Sequence, residues 1–355
     1  HMEHDFLNLR YNIASNQYTK FISTFGNINM YASYLSISIP VLLAVFAFCK
    51  NWFSRILSGI LLIAAGCNIL IANSDSVFLG IFAGVVVVTI LAFMQGRLRY
   101  SSFAVFLLFV GNLVLGFINK YGHTRYDKKR GGLAIALNRL DIAFVLCGAA
   151  LLVFAVVCVC NWKLGTRIAA WNKKKIVLIV CGACVALGVI GIIVLAVTGS
   201  SLLTFNDKWG SYRGYIWRKI VEVYGDAPFV NKLFGYGNES VRVTLKAACY
   251  NEMVQVTGKV YDNAHNELLQ YLFTTGIVGL LSYLALVGSS IVYMFKHAKE
   301  HAWISVCLAA TVGYFAQSIL NLNQPITTPL FFVFMAMGVG TVNYCRRVKE
   351  LEKRA

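Results

Sequence analysis

The sequence predicts an all-α integral membrane protein, a polytopic helical bundle of about nine spans with one long extracytoplasmic loop carrying short amphipathic helices. Three observations predict it. Of 355 residues, 58% are hydrophobic and 13% charged, with a mean hydropathy of +0.66; a soluble chain runs at roughly 45–50% apolar and roughly 25% charged. The apolar residues come in blocks of about 20, not in the dyad alternation of a membrane barrel. Basic residues gather in short segments between those blocks, as the loops of a multi-pass protein require. This composition excludes a soluble two-domain chain.

Taken in order, the apolar windows are Met30–Phe48, Ile56–Ala72, Val77–Phe93, Phe103–Ile118, Ile142–Cys160, Ile176–Val197, Leu268–Met294, Ile304–Leu320 and Pro329–Tyr344. Lys and Arg number 32 against 15 Asp and Glu, a net charge of +17. In a soluble protein that excess points to a nucleic-acid partner; here loop topology accounts for it and no nucleic acid is expected. If the first span runs from outside to inside, Lys50–Arg55, Gln95–Tyr100, Asn161–Lys175, Lys296–His301 and the tail from Cys345 face inside and carry half of the basic residues. The other half lies in the N-terminal tail, in Lys120–Arg139 and in the long loop Thr198–Ala264. Long loops translocate largely regardless of charge, so these outer cations are either solvated surface or a site for an anion.

The expected organisation is residues 1–197 as N-terminal spans, 198–264 as the extracytoplasmic loop, and 265–355 as C-terminal spans with a basic tail. The His1-Met2 start reads as a cloning scar. An outside N-terminus before an odd number of spans points to upstream helices removed or uncounted, although a short translocated tail does equally well. Most of the ten cysteines sit inside apolar runs, Cys181 and Cys184 at CxxC spacing among them, where they pack as small hydrophobes, and no disulfide framework is visible. Phe25-Gly26-Asn27-Ile28-Asn29 reads as a helix cap at the first span, and Asp75 as part of a solvated turn.

Two constellations carry chemistry. In Ser211–Tyr224, SYRGYIWRKIVEVY, a rotation of 100° per residue puts Ile216, Ile220 and Val223 on one face with Trp217 and Tyr224. Arg213, one turn before Trp217, falls with that face, whereas Arg218 and Lys219 read as surface charge. A guanidinium there is either a structural ion pair or snorkelling arginine, or a ligand for a phosphate. The second constellation is Asp262–Leu284, DNAHNELLQYLFTTGIVGLLSYL. Asp262 or Asn263 caps the following helix, whose apolar residues continue into the membrane, so His265 falls in its first turn. The macrodipole there disfavours imidazolium and leaves a neutral ring able to accept a proton. Asp262 or Glu267 orients the ring by holding its other nitrogen; the bland alternative is an interfacial histidine bonded to a loop. Gly235-Tyr236-Gly237 is a turn that permits close backbone approach, with no Walker-type lysine after it.

FGNINMYASYL at the first span, R-x-x-x-W at Arg213–Trp217, Gly235–Gly237 and the stretch from His265 to Leu284 together resemble the O-antigen ligase/polymerase family of bacterial membrane proteins. The resemblance runs from about Phe25 to Leu284. It implies an inverting, metal-independent glycosyltransferase without a cofactor. Such an enzyme moves a glycan from an undecaprenyl-pyrophosphate carrier to an acceptor hydroxyl on the outer face of the bacterial cytoplasmic membrane. It implies Arg213 on the donor pyrophosphate and His265 near the acceptor, which is a glycan, a lipid or a protein. A second donor-binding arginine is expected, with Arg218 and Arg242 as candidates. Tyr212 and Trp217 beside Arg213, and Asn263 and Asn266 beside His265, complete the candidate substrate-binding set. The rival from another class is a flippase or transporter of the lipid-linked glycan, whose usual signs are inverted repeats and broken helices with charges at the membrane midplane.

Overall fold

The computed structural model describes residues 11–12, 17–18, 28–72, 74–121, 139–173, 175–177, 179, 206–321 and 323–354. Most of the expected sixth span, Ile176–Val197, lies outside these residues, as do Phe25, Gly26, Asn27, most of Lys120–Arg139 and the first residues of the long loop. Apart from a two-residue pairing of β1 (Tyr11–Asn12) with β2 (Gln17–Tyr18), the regular structure described is helical. The helices are α1 (Ile28–Phe48), α2 (Trp52–Ala72), α3 (Asp75–Met94), α4 (Leu98–Tyr121), α5 (Leu140–Ala170), α6 (Trp209–Gly225), α7 (Phe229–Phe234), α8 (Ser240–Thr257), α9 (Glu267–His297), α10 (Ala302–Ser318) and α11 (Thr328–Arg354). Among the described residues, α1 to α5, α9 and α11 are long and apolar enough to cross a membrane, and each coincides with an expected span.

The chain divides into two compact units. One takes in residues 1–171, 289–318 and 323–355; the other takes in 172–288 and 319–322. In the first, α10 packs against α1, α3 and α11. It is shorter than a full span and buried nearly all round, Val306, Leu308, Ala309 and Tyr314 included, as a helix apolar on every face must be when protein surrounds it. Small residues bring these helices close: a Cβ on Gly313 would lie 2.3 Å from the Ser36 carbonyl oxygen. Polar side chains then tie them across the interior. Ser33 Oγ donates to Gln317 Oε1 (3.1 Å), and Gln317 Nε2 donates to Ser76 Oγ (3.4 Å).

The second unit has its own core, formed by Tyr215, Ile216 and Ile220 of α6, Val241, Leu245 and Met253 of α8, Tyr261, Ala264, and Phe273 of α9. One feature departs from the sequence reading. The expected span Leu268–Met294 is no straight helix, because α9 breaks at Gly276 (φ 68, ψ −172). Tyr271 stacks on Tyr283 at 4.2 Å between ring centroids, and Tyr283 Oη donates to the buried Glu267 carboxylate (3.2 Å). In a straight helix residues 12 apart stand about 18 Å apart along the axis. Glu267–Thr275 therefore folds back on the segment from Ile277, which at roughly 30 Å is still long enough to span a bilayer.

This reversal makes a direct prediction. In the protein with its native cysteines replaced, Tyr271→Cys combined with Tyr283→Cys is expected to form a disulfide on mild oxidation in membranes, detected by mass spectrometry of the linked peptides. A straight α9 leaves the two thiols unlinked, since bridged Cα atoms lie within about 7 Å.

Candidate functional site

The site grows out of the start of α6. The Asn206 carbonyl accepts from Trp209 N (3.0 Å), its side chain accepts from Lys208 N (3.0 Å), and the chain then passes through left-handed geometry at Gly210, Ser211 and Tyr212. Regular helix resumes at Arg213. As the periodicity predicts, Ile216 and Ile220 are buried; Tyr215, off that face, is buried as fully, because α8 covers it from the side. Arg213 is half-buried.

Facing it is the segment Lys259–Asn266, which is held by side chains rather than by regular structure. Tyr261 Oη donates to the Ser211 carbonyl (2.9 Å) and Trp217 Nε1 to the Ala264 carbonyl (2.8 Å). Ala264 N donates to Gln270 Oε1 (2.9 Å), and His265 N to Asn263 Oδ1 (3.1 Å), an Asx turn. His265 is consequently held at φ 48, a conformation that costs an L-residue free energy and persists only where surrounding bonds enforce it. The cap of α9 is Asn266, whose Oδ1 accepts from Leu269 N (3.0 Å). Asp262 and Asn263 do not cap the helix as expected, and His265 precedes its first turn.

The electrostatics follow from this placement. Burial comes first, and the charges of Arg213 and Lys259 second, in pushing the His265 imidazole down to about 4; Asp262 opposes them. The ring is neutral at neutral pH, as expected, but through burial and two cations rather than a helix dipole. Lys259 Nζ also sits 4.6 Å from the Tyr261 ring centroid, and that ring meets His265 edge-on at 5.8 Å. Nδ1 of His265 is buried with no hydrogen-bond partner among the described residues, so neither Asp262 nor Glu267 holds it. Asp262 is exposed and accepts from Asn263 Nδ2, while Glu267 is buried in the α9 reversal. A buried nitrogen without a partner is costly unless a ligand supplies one. Flanked by two cations, this nitrogen can take a proton from a hydroxyl lying beside an anion.

The other expected site residues fall into separate groups. Trp217 Nε1 and Asn263 Oδ1 hold the segment that carries His265, and Asn266 Oδ1 caps α9. Tyr212 packs against the core at φ 70. Arg218 is held away from the expected donor role by carboxylates on both sides. Its Nε and Nη2 bond Asp207 (3.1 and 2.8 Å) and its Nη1 bonds Glu222 (2.8 Å), holding both carboxyls below the usual range. Arg242, exposed on α8, forms no ion pair among the described residues. Among those residues no three His, Cys, Asp or Glu side chains converge to hold a metal ion. Lys259, Tyr261 and Gln270 were not anticipated; the signal was their place immediately around the Asp262–Glu267 polar cluster.

Gly235–Gly237 anchors the unit. Tyr236 N donates to the Phe273 carbonyl (3.0 Å) and Gly237 N to that of Thr274 (2.9 Å), acceptors that the break at Gly276 releases from the helix. Backbones meet here so closely that a Cβ on Gly235 would lie 2.3 Å from Thr274, and one on Gly276 2.2 Å from Leu233. Tyr236 stacks on Phe273 at 5.0 Å.

Fold and site together define a multi-pass helical membrane protein bearing a separately packed polar unit. Residues 131–284, less than half of the chain, match the family model described as O-antigen ligase. The matched stretch takes in Arg213, Gly235–Gly237 and His265 and ends at Leu284, while FGNINMYASYL lies before it. No curated protein matches the chain.

The Trp217 bond can be tested directly. Trp217→Phe keeps an aromatic ring but leaves the Ala264 carbonyl without its donor, and is expected to lower stability by about 1–3 kcal/mol in denaturant or thermal unfolding. Val221→Phe on the exposed face of α6 is expected to change it by less than about 0.5 kcal/mol.

Proposed function

We propose that the chain is an inverting glycosyltransferase that moves a glycan from undecaprenyl pyrophosphate to an acceptor hydroxyl on the outer face of the bacterial cytoplasmic membrane. The observation that carries this reading is the buried, unpartnered His265 Nδ1 under the charge of Arg213. The match to the O-antigen ligase model supports a lipid-linked glycan donor and a glycan, lipid or protein acceptor. The division of the chain at 197 and 264 is part of the proposal, with 198–264 supplying the donor-binding arginine.

In this mechanism Arg213, assisted by Lys259, binds the pyrophosphate and stabilises the charge that grows on it as the C1–O bond breaks. The acceptor oxygen attacks C1 from the opposite side, giving inversion. The new C–O bond forms as the old pair of electrons leaves with the pyrophosphate, and the acceptor proton passes to the His265 ring. No metal is required, because the arginine supplies the cation. Donor binding also prepares the base. The charges of Arg213 and Lys259 keep the ring a weak base, and a pyrophosphate bound beside it offsets part of the repulsion that depresses it.

The discontinuous α9 is a feature that transporters share, and it favours the alternative of a lipid-linked glycan flippase. The two readings part on whether a bond breaks. In liposomes with undecaprenyl-pyrophosphate-linked oligosaccharide and EDTA, the parent is expected to release lipid pyrophosphate and form a new glycosidic bond. Arg213→Ala is expected to lower kcat/KM by about 10²–10³-fold and His265→Ala by about 10²–10⁴-fold. The neutral ring is the active form, so kcat/KM is expected to hold as pH falls and to drop only near pH 4. The acid limb of kcat, with donor bound, lies at higher pH. Movement of intact donor between leaflets without bond cleavage overturns the transferase reading.

A further inference from the structure

Arg55, Arg97 and Arg99 lie at one end of the helical unit, and among the described residues none of them pairs with a carboxylate. Two of them close the C-terminus of α1. Arg55 donates to the Phe46 and Cys49 carbonyls (3.1 and 2.7 Å), and Arg97 to those of Ala47 and Phe48 (3.4 and 3.2 Å). These bonds satisfy hydrogen-bonding capacity but leave the positive charges uncompensated. The third, Arg99, is exposed, with Nη2 3.1 Å from Tyr100 Oη. The Tyr100 ring has the Arg55 guanidinium 4.3 Å from its centroid and that of Arg99 at 4.8 Å.

Beside this cationic cluster lies a cavity of about 430 Å³, lined by Arg55, Arg99 and Tyr100 together with Phe46, Phe103, Phe154 and Cys158. Its aromatic wall is continuous: Phe103 lies 5.8 Å from Phe46 and 4.9 Å from Phe154. That volume falls in the range of about 300–1,000 Å³ usual for small-molecule sites. A small inorganic anion satisfies the arginines and leaves the aromatic wall uncovered, and a neutral lipid does the reverse. An amphiphile with an anionic head covers both. The four elements involved, α1, α2, α4 and α5, are membrane-crossing helices by length and composition, so bilayer phospholipid is the abundant amphiphile at their ends.

We propose that this cavity binds an anionic phospholipid, its phosphate and headgroup against Arg55 and Arg99 and the start of an acyl chain along Phe46, Phe103 and Phe154. None of these residues belongs to the Arg213–His265 site, so the assignment stands or falls separately from the transferase reading. Basic pockets between membrane helices are suited to such headgroups, each cation contributing about 1 kcal/mol near an anionic surface.

Native mass spectrometry of the detergent-purified full chain, titrated with phosphatidylglycerol, phosphatidylcholine or inorganic phosphate, tests it. Phosphatidylglycerol is expected to be retained at least about fivefold better than phosphatidylcholine, to lose about fivefold in Arg99→Gln, and to recover in Arg99→Lys. Arg99 is the residue to change because Arg55 also holds α1 together; thermal unfolding of each variant confirms that the fold is kept. Phe154→Ala, which opens the apolar wall and removes no charge, is expected to weaken retention as well. Equal retention of both lipids, no effect of Arg99→Gln in the folded variant, or displacement of the lipid by millimolar phosphate each overturns the proposal.

Discussion

A helix that stops bonding to itself inside a low-dielectric setting must hand its released carbonyls to other donors, each unsatisfied group costing several kcal/mol. In this chain the break at Gly276 releases the carbonyls of Phe273 and Thr274, and the N–H groups of Tyr236 and Gly237 take them. That exchange requires two backbones to touch, and glycine at both 235 and 276 permits it. The histidine side of the candidate site rests on the reversal. It turns Glu267–Thr275 back along the segment from Ile277, where Glu267 meets Tyr283, and so fixes the end of α9 from which Asn266, His265 and Ala264 project.

From that fixed end, Tyr261 and Trp217 fasten the segment before α9 to the start of α6. Neither residue needs to touch a substrate to matter. Together they set His265 in a left-handed turn close enough to Arg213 for that charge to act on the ring. In the proposed mechanism the same positive charge that lowers the basicity of His265 also draws the donor phosphate. Donor binding and base activation are thereby a single electrostatic event in the proposed mechanism.

How far the residues alone disclose this varies with the range of the interaction. The spans were legible because hydrophobic burial is written continuously along each helix, and the burial of Ile216 and Ile220 followed from local periodicity, which put Arg213 with their face, where it is only half-buried. The reversal was not legible: Thr274-Thr275-Gly276 interrupts an apolar run too briefly to register in hydropathy, and its partners at Gly235–Gly237 are some forty residues distant. The cap was misplaced because Asp262, Asn263 and Asn266 are all competent caps within five positions, and only the hydrogen bond to Leu269 N chooses among them. Arg218 looked available because its captor, Asp207, lies beyond the left-handed turn at Gly210–Tyr212, where helical spacing gives no guidance.

The central claim is that Arg213 and His265 act as one unit, and a double-mutant cycle on transfer from the lipid-linked donor tests it most directly. With Arg213→Gln and His265→Asn measured singly and together, the account predicts strong non-additivity, the double variant being little slower than the worse single one, with a coupling above about 1 kcal/mol. Rate losses that simply multiply would contradict it, leaving two residues that contribute separately and no shared site between them.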